Sequence, residues 1–131
     1  MGRRPLAHKA INFYAQALGG KIEGIMKFGD NPFPGMPEEA KDRVMHAHLS
    51  IGDSALLFSD TYPGQEYTVG NHVTVTLMVD TAEEAGRIYA ALAEGAHRIE
   101  MPLKKTDWSP AYASLTDRFG VPFQINTMAE H

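Results

Sequence analysis

Apolar positions in the first stretch of the chain fall at Ala10, Phe13, Tyr14, Ala15 and Ala17, the i, i+3, i+4, i+7 spacing that lines one face of a helix, with Gly20 where such a helix would close. The same pattern returns at a constant offset as Ala85, Ile88, Tyr89, Ala90, Leu92 and Gly95, so the chain carries an internal repeat. The second helix is expected to start at Asp80 or Thr81, because Thr81 and Glu84 have the spacing of a capping box. The first begins between Pro5 and His8.

Alternating apolar and polar residues follow each helix and predict strands over 21–28, 43–51 and 54–60, then over 97–101, 111–116 and 121–127. A further strand over 72–79 precedes the second helix. Unit two therefore reads βαβββ, and unit one αβββ, its leading strand missing or shortened. Segments 29–42 and 61–71, rich in Pro and Gly, read as loops. The expected organisation is one domain over 1–131, built of units 1–60 and 71–131 joined by loop 61–70.

Composition narrows the picture. At 131 residues with 44% hydrophobic and 21% charged residues, the chain has enough material for a core of its own. Twelve Lys and Arg against 16 Asp and Glu give a net charge of -4, which argues against nucleic acid as a partner. With no cysteine there is no disulfide, thiolate metal site or cysteine nucleophile. No apolar run approaches the ~18 residues of a membrane span, and Met1-Gly2-Arg3-Arg4-Pro5 leads into no signal-like core. A cytoplasmic protein with no membrane partner is expected.

The strings Ala10-Ile-Asn-Phe-Tyr14, Leu18-Gly-Gly20, Pro37-Glu-Glu-Ala-Lys41, Met45-His46-Ala47, Gly52-Asp53-Ser54, Ser59-Asp60, Met101-Pro102-Leu103, Trp108 and Thr116-Asp117-Arg118-Phe119-Gly120-Val121 together resemble the PhnB-like branch of the vicinal oxygen chelate superfamily, which includes glyoxalase, bleomycin-resistance and dioxygenase-type proteins. The resemblance implies an α+β fold of two βαβββ units forming a curved mixed sheet around a cavity. It also implies a homodimer.

Strand parity separates a helix-packed face from a cavity face. The helix-packed set is expected to be Met45, Ala47, Leu49, Val73, Val75, Phe123 and Ile125; the cavity set is Val44, His46, His48 and Ser50, then His72, Thr74, Thr76 and Met78, then Gln124 and Asn126, with Leu56 and Phe58 by the same count. Together with aromatic residues such as Phe33, Tyr62, Tyr67, Trp108 and Tyr112, these polar positions describe a small-molecule pocket. The expected ligand-binding residues are His46, His48, His72, Thr74, Phe58, Trp108, Gln124 and Asn126.

Metal chemistry, which the resemblance would imply, lacks its donors. Matching Gly52 to Gly120 puts Leu56 and Gln124 where glyoxalase-like members carry glutamates, and leucine cannot ligate. No cofactor is expected; His72, which matches a ligating histidine of the family, is the one candidate metal ligand. His46 and His48 could share an ion but are read as hydrogen-bonding strand histidines. Ser54, Ser59 and Asp60 lack a nucleophile elbow and read as turn formers. Lys104, Lys105 and Arg118 read as solvated, and Glu38 with Glu39 as a lid turn. No glycine-rich strand-to-helix loop is present for a methyl donor, so the methyltransferase label carried by some relatives is set aside. The expected function is binding of a small polar or aromatic ligand, with a metal-dependent lyase, isomerase or dioxygenase as the alternative, in which His72, His48 or His46, and Gln124 would hold one divalent ion.

Overall fold

The computed structural model describes residues 6–64, 70 and 73–128. The chain divides into two compact units, Met1–Thr68 and Val69–His131.

Unit 1 opens with helix α1 (Ala7–Leu18), which buries Ala10, Ile11, Tyr14 and Ala17 along one side. Its N-cap, Leu6, has no side chain to satisfy the first amides. Asp60 does so instead: Oδ1 accepts the Ala7 N–H at 2.9 Å while Oδ2 accepts the Val44 N–H at 2.8 Å. One carboxylate thus ties the start of the helix to the sheet, a charge-assisted arrangement stronger than a neutral cap. The helix ends at Gly19 with φ 69°, a left-handed conformation that glycine adopts without penalty. Gly20 is required for a different reason: a Cβ there would come within 2.8 Å of the Ser50 carbonyl oxygen.

The sheet of unit 1 is antiparallel, in the order β1 (Lys21–Lys27), β2 (Val44–Ile51), β3 (Ser54–Phe58). Between β1 and β2 lie a 3-10 turn, Phe28–Asp30, and a one-turn helix α2 (Glu38–Lys41), in which Lys41 pairs with Glu38 at 2.7 Å. Ala47 and Leu49 are fully buried on the side of the sheet that packs on α1. No strand precedes α1 among the described residues. The strand expected over 54–60 stops at Phe58, because Asp60 is committed to the two amides above.

Two bulges overturn the simple alternation. On β1, Ile22 pairs with Leu49 but Gly24 with His48, so Glu23 is an extra residue; on β2, Met26 pairs with His46 but Lys27 with Val44, so Met45 is another. An extra residue flips the parity of what lies beyond it. Val44, expected on the cavity face, is therefore fully buried, and Met26, expected beside Ile22, is 47% exposed on the opposite side.

Unit 2 runs β4 (Val75–Val79), α3 (Ala82–Ala93), β5 (Arg98–Lys104), β6 (Tyr112–Thr116), β7 (Pro122–Thr127), with sheet order β4-β7-β6-β5 and β4 parallel to β7. Thr81 caps α3, its hydroxyl accepting the Glu84 N–H at 3.1 Å, as its spacing predicts. Ala85, Ile88 and Leu92 of α3 are buried, as are Leu115, Phe123 and Ile125 of the sheet it covers. The strand expected from residue 72 begins only at Val75; Val73, expected to pack on a helix, is 66% exposed. β5 runs on to Lys104 past Pro102, which sits at a register shift between Met101 and Lys104 where a missing N–H costs no ladder bond. Asp117, fully buried, shapes the turn into β7 by accepting the Phe119 and Val121 N–H groups on one oxygen, both at 2.9 Å. No helix among the described residues is long and apolar enough to cross a membrane.

Candidate functional site

Cross-strand partners share a face, so the pairings identify what each sheet shows on the side away from its helix. In unit 1 that open face carries Met26 beside His46, then Gly24, His48 and Leu57 in a row, then Lys21, Ser50 and Ala55. His46 is exposed, His48 half-buried, and Leu57 is 64% exposed. A Cβ at Gly24 would meet nothing within 4 Å, so β1 leaves open space next to the His48 imidazole. The parity argument correctly puts both histidines on this face, with Ala47 and Leu49 opposite.

Unit 2 shows two polar rows. Thr76, Gln124, Ser114 and Met101 form one, with the Thr76 hydroxyl 3.4 Å from Gln124 Oε1; Met78, Asn126, Tyr112 and Lys104 form the next. Asn126 Nδ2 donates to Met78 Sδ at 3.7 Å, while its Oδ1 is buried with no hydrogen-bond partner. At the far side of the face, Glu100 Oε1 accepts from the Thr116 hydroxyl at 2.8 Å and from Arg98 Nε at 3.1 Å. Burial works to raise its pKa, but these two hydrogen bonds and the Arg98 charge outweigh it and hold the carboxyl below the usual glutamate value.

Trp108 stands off the strands, edge-on to Tyr112 with ring centroids 5.3 Å apart, and lines a cavity of about 500 Å³ between the start of α3 and the loop leading into β6. Sequence reasoning missed this cavity. Its legible signs were Trp108, expected to bind ligand but assigned to the sheet faces, and the Thr81 capping box, which marks the helix start that forms one wall.

Several expected site residues stand elsewhere. Phe58 does not face the open side: it pairs with Ala47, and its ring stacks on Tyr14 of α1 at 5.7 Å. Leu56 likewise pairs with Leu49, so the open-face residue of β3 is Leu57. The error is one residue. Gly52-Asp53 is a two-residue hairpin turn, whereas the turn from Asp117 to Val121 is longer, so matching glycine to glycine misaligns the strands that follow. Thr74 is exposed and precedes β4 rather than belonging to it. His72 and Tyr67 lie outside the described residues. Asp60 is the structural tie already described, and Arg118 Nη2 donates to the Glu94 carbonyl at 2.9 Å, closing the end of α3.

The donors for a divalent ion are not gathered among the described residues, where no three His, Asp or Glu side chains cluster. His46 and His48 are two imidazoles on one strand, and the nearby Glu23 carboxylate is paired with Lys21 at 3.7 Å, so this set does not fit tight binding of a metal that usually takes three or four protein ligands.

The open-sheet geometry agrees with comparison to known proteins. Residues 4–125 match the Glyoxalase/Bleomycin resistance protein/Dioxygenase superfamily, and the chain belongs to it. Among individual relatives, it is 28% identical to Protein YjdN of Escherichia coli (strain K12) over 137 residues, covering 92% of this chain and 87% of that protein. The crystal structure of protein PA1353 from Pseudomonas aeruginosa superposes with a TM-score of 0.82 at 39% identity, covering 93% of this chain and 89% of that one. A PhnB protein from Bacillus cereus gives a TM-score of 0.76 at 25% identity, covering 95% and 92%.

Proposed function

We propose that the protein binds a small polar or aromatic molecule on its open sheet faces. Asn126 carries this reading: a buried amide oxygen without a donor costs roughly 1–3 kcal/mol, and a ligand N–H or O–H removes that cost. Gln124, Thr76 and Tyr112 surround it with further hydrogen-bonding and ring surface. The open face of unit 1 offers His46 and His48 beside the apolar Leu57 and Met26, a binding surface in its own right. Thr74 and His72 belong to the same reading.

The test is a thermal-shift screen of small polar and aromatic compounds. A ligand at about 100 times its Kd stabilises the fold by roughly 2.7 kcal/mol, and Asn126→Ala or Gln124→Ala is expected to remove most of the shift. A panel without a single stabiliser, or hits that ignore both these substitutions and His46→Ala and His48→Ala on the face of unit 1, overturns the proposal.

The second reading is a metal-dependent lyase, isomerase or dioxygenase, favoured by the two imidazoles on one face of β2. Metal analysis of protein purified without a histidine tag separates the two: stoichiometric metal lost on His46→Ala or His48→Ala supports the enzyme. The proposal extends to a homodimer, since β3 has no strand on its outer edge among the described residues and open edges recruit strands. Light scattering at micromolar concentration, with a melting temperature that falls on dilution, is the expected signature.

A further inference from the structure

The cavity of unit 2 holds more chemistry than a gap between loops. Its walls are Asp80 and Ala82 at the start of α3, and Lys105, Asp107 and Trp108 on the facing loop, with Thr127 at the end of β7. Thr127 is 2% exposed, and its Oγ1 has no hydrogen-bond partner. Buried hydroxyls in native proteins are nearly always satisfied by protein, water or ligand, so this one marks a place where a partner belongs.

The wall opposite the helix is built firmly. Ser109, 3% exposed, accepts the Thr127 N–H at 3.1 Å and the Ala111 N–H at 3.3 Å, and its proton is shared between the carbonyls of Thr127 at 2.9 Å and Ala111 at 3.0 Å. The loop is therefore pinned to the strand end, and Trp108 is 57% exposed with its ring edge-on to Tyr112. On the helix side, the Thr81 hydroxyl caps Glu84 and its carbonyl takes Ala85, leaving the Ala82 and Glu83 amides without an acceptor among the described residues.

The charges are mixed. A purely anionic ligand would meet Asp80 and Asp107; a purely cationic one would meet Lys105 and the positive end of the helix dipole. A molecule with both signs satisfies both. We infer that this cavity binds a free amino acid or a like zwitterion. Its carboxylate lies at the first-turn amides of α3 with Lys105 and the Thr127 hydroxyl, its ammonium faces Asp80 and Asp107, and an apolar side group lies on the Trp108 indole. A cavity of about 500 Å³ has room for it.

Trp108 is the only tryptophan of the chain and lines this cavity, so its fluorescence reports on binding there, and the Asn126→Ala variant separates that signal from any reaching it through Tyr112. Titration with L-phenylalanine is expected to change the emission saturably, with a Kd of about 1 mM or tighter. Phenethylamine, which lacks the carboxylate, and 3-phenylpropionate, which lacks the ammonium, are each expected to bind about tenfold or more weakly. Lys105→Ala and Thr127→Val should weaken L-phenylalanine to a similar degree; Thr127→Val, which deletes an unpartnered hydroxyl, should leave the free protein as stable as before. Asn126→Ala should not affect this titration, which keeps it independent of the open-face reading. The inference fails if L-phenylalanine gives no saturable change, if either singly charged analogue binds as tightly, or if both cavity substitutions bind like wild type.

Discussion

The ring of Phe58 lies against that of Tyr14, centroids 5.7 Å apart and planes 23° apart, and this stacking assigns β3 its faces. With Phe58 turned to the helix, Leu56 follows it inward and Leu57 outward. Phe58→Ala should destabilise unit 1 by roughly 2 kcal/mol, below the 3–5 typical of a fully buried phenylalanine because the ring is half-buried. Urea denaturation measures it, and ligand-induced thermal shifts should survive the substitution.

The same face assignment predicts opposite outcomes for neighbours. Leu56→Glu directs a charge toward the packed side next to Leu49 and should cost several kcal/mol, on the order of 3. Leu57→Glu stays in water and should cost within about 0.5 kcal/mol. Equal losses in chemical denaturation would show the face assignment wrong.

Asp60 holds two backbone amides from distant parts of unit 1. Asp60→Ala should lose roughly 2–3 kcal/mol, since hydrogen bonds to a charged group are worth more than neutral ones and both amides lose their acceptor. Asp60→Asn, keeping one acceptor oxygen, should fall between. Hydrogen exchange at Ala7 and Val44 is the direct readout, with protection lost in the alanine variant and partly kept in the asparagine variant.

Glu100 gives a pH dependence with a definite sign. Its folded pKa is below the unfolded value, so its contribution is present above the ordinary glutamate pKa of about 4.3 and is lost as pH falls through the lower folded value. The contribution is small because the side chain is partly exposed. Thr116→Val removes one hydrogen bond and should move the Glu100 titration upward in an NMR pH series. A titration that stays in place would assign the shift to Arg98 alone.

Much of the architecture was legible from periodicity and repetition. Helix α1, helix α3 with its Thr81 cap, and the order of strands in both units rest on local patterns that tertiary contacts reinforced. The open-face placement of His46, His48, Gln124 and Asn126 followed from parity alone, because the alternation of a strand holds wherever no residue is inserted. It failed where one was: the bulges at Glu23 and Met45 send Val44 inward and Met26 outward, and nothing in residue type announces a bulge.

Composition and local pattern by themselves determined that this chain makes two helix-and-strand units of related design, with a polar face on each sheet. Only the folded chain decided which way Leu56, Leu57 and Phe58 point, that Asp60 fastens α1 to β2, and that Ser109 and Thr127 meet to shape a cavity beside α3. The reason is range. Periodicity records the preference of a residue for its neighbours within a turn or a strand, whereas turn length, bulges and hydrogen bonds spanning 18 to 53 positions are settled by what the rest of the chain brings alongside.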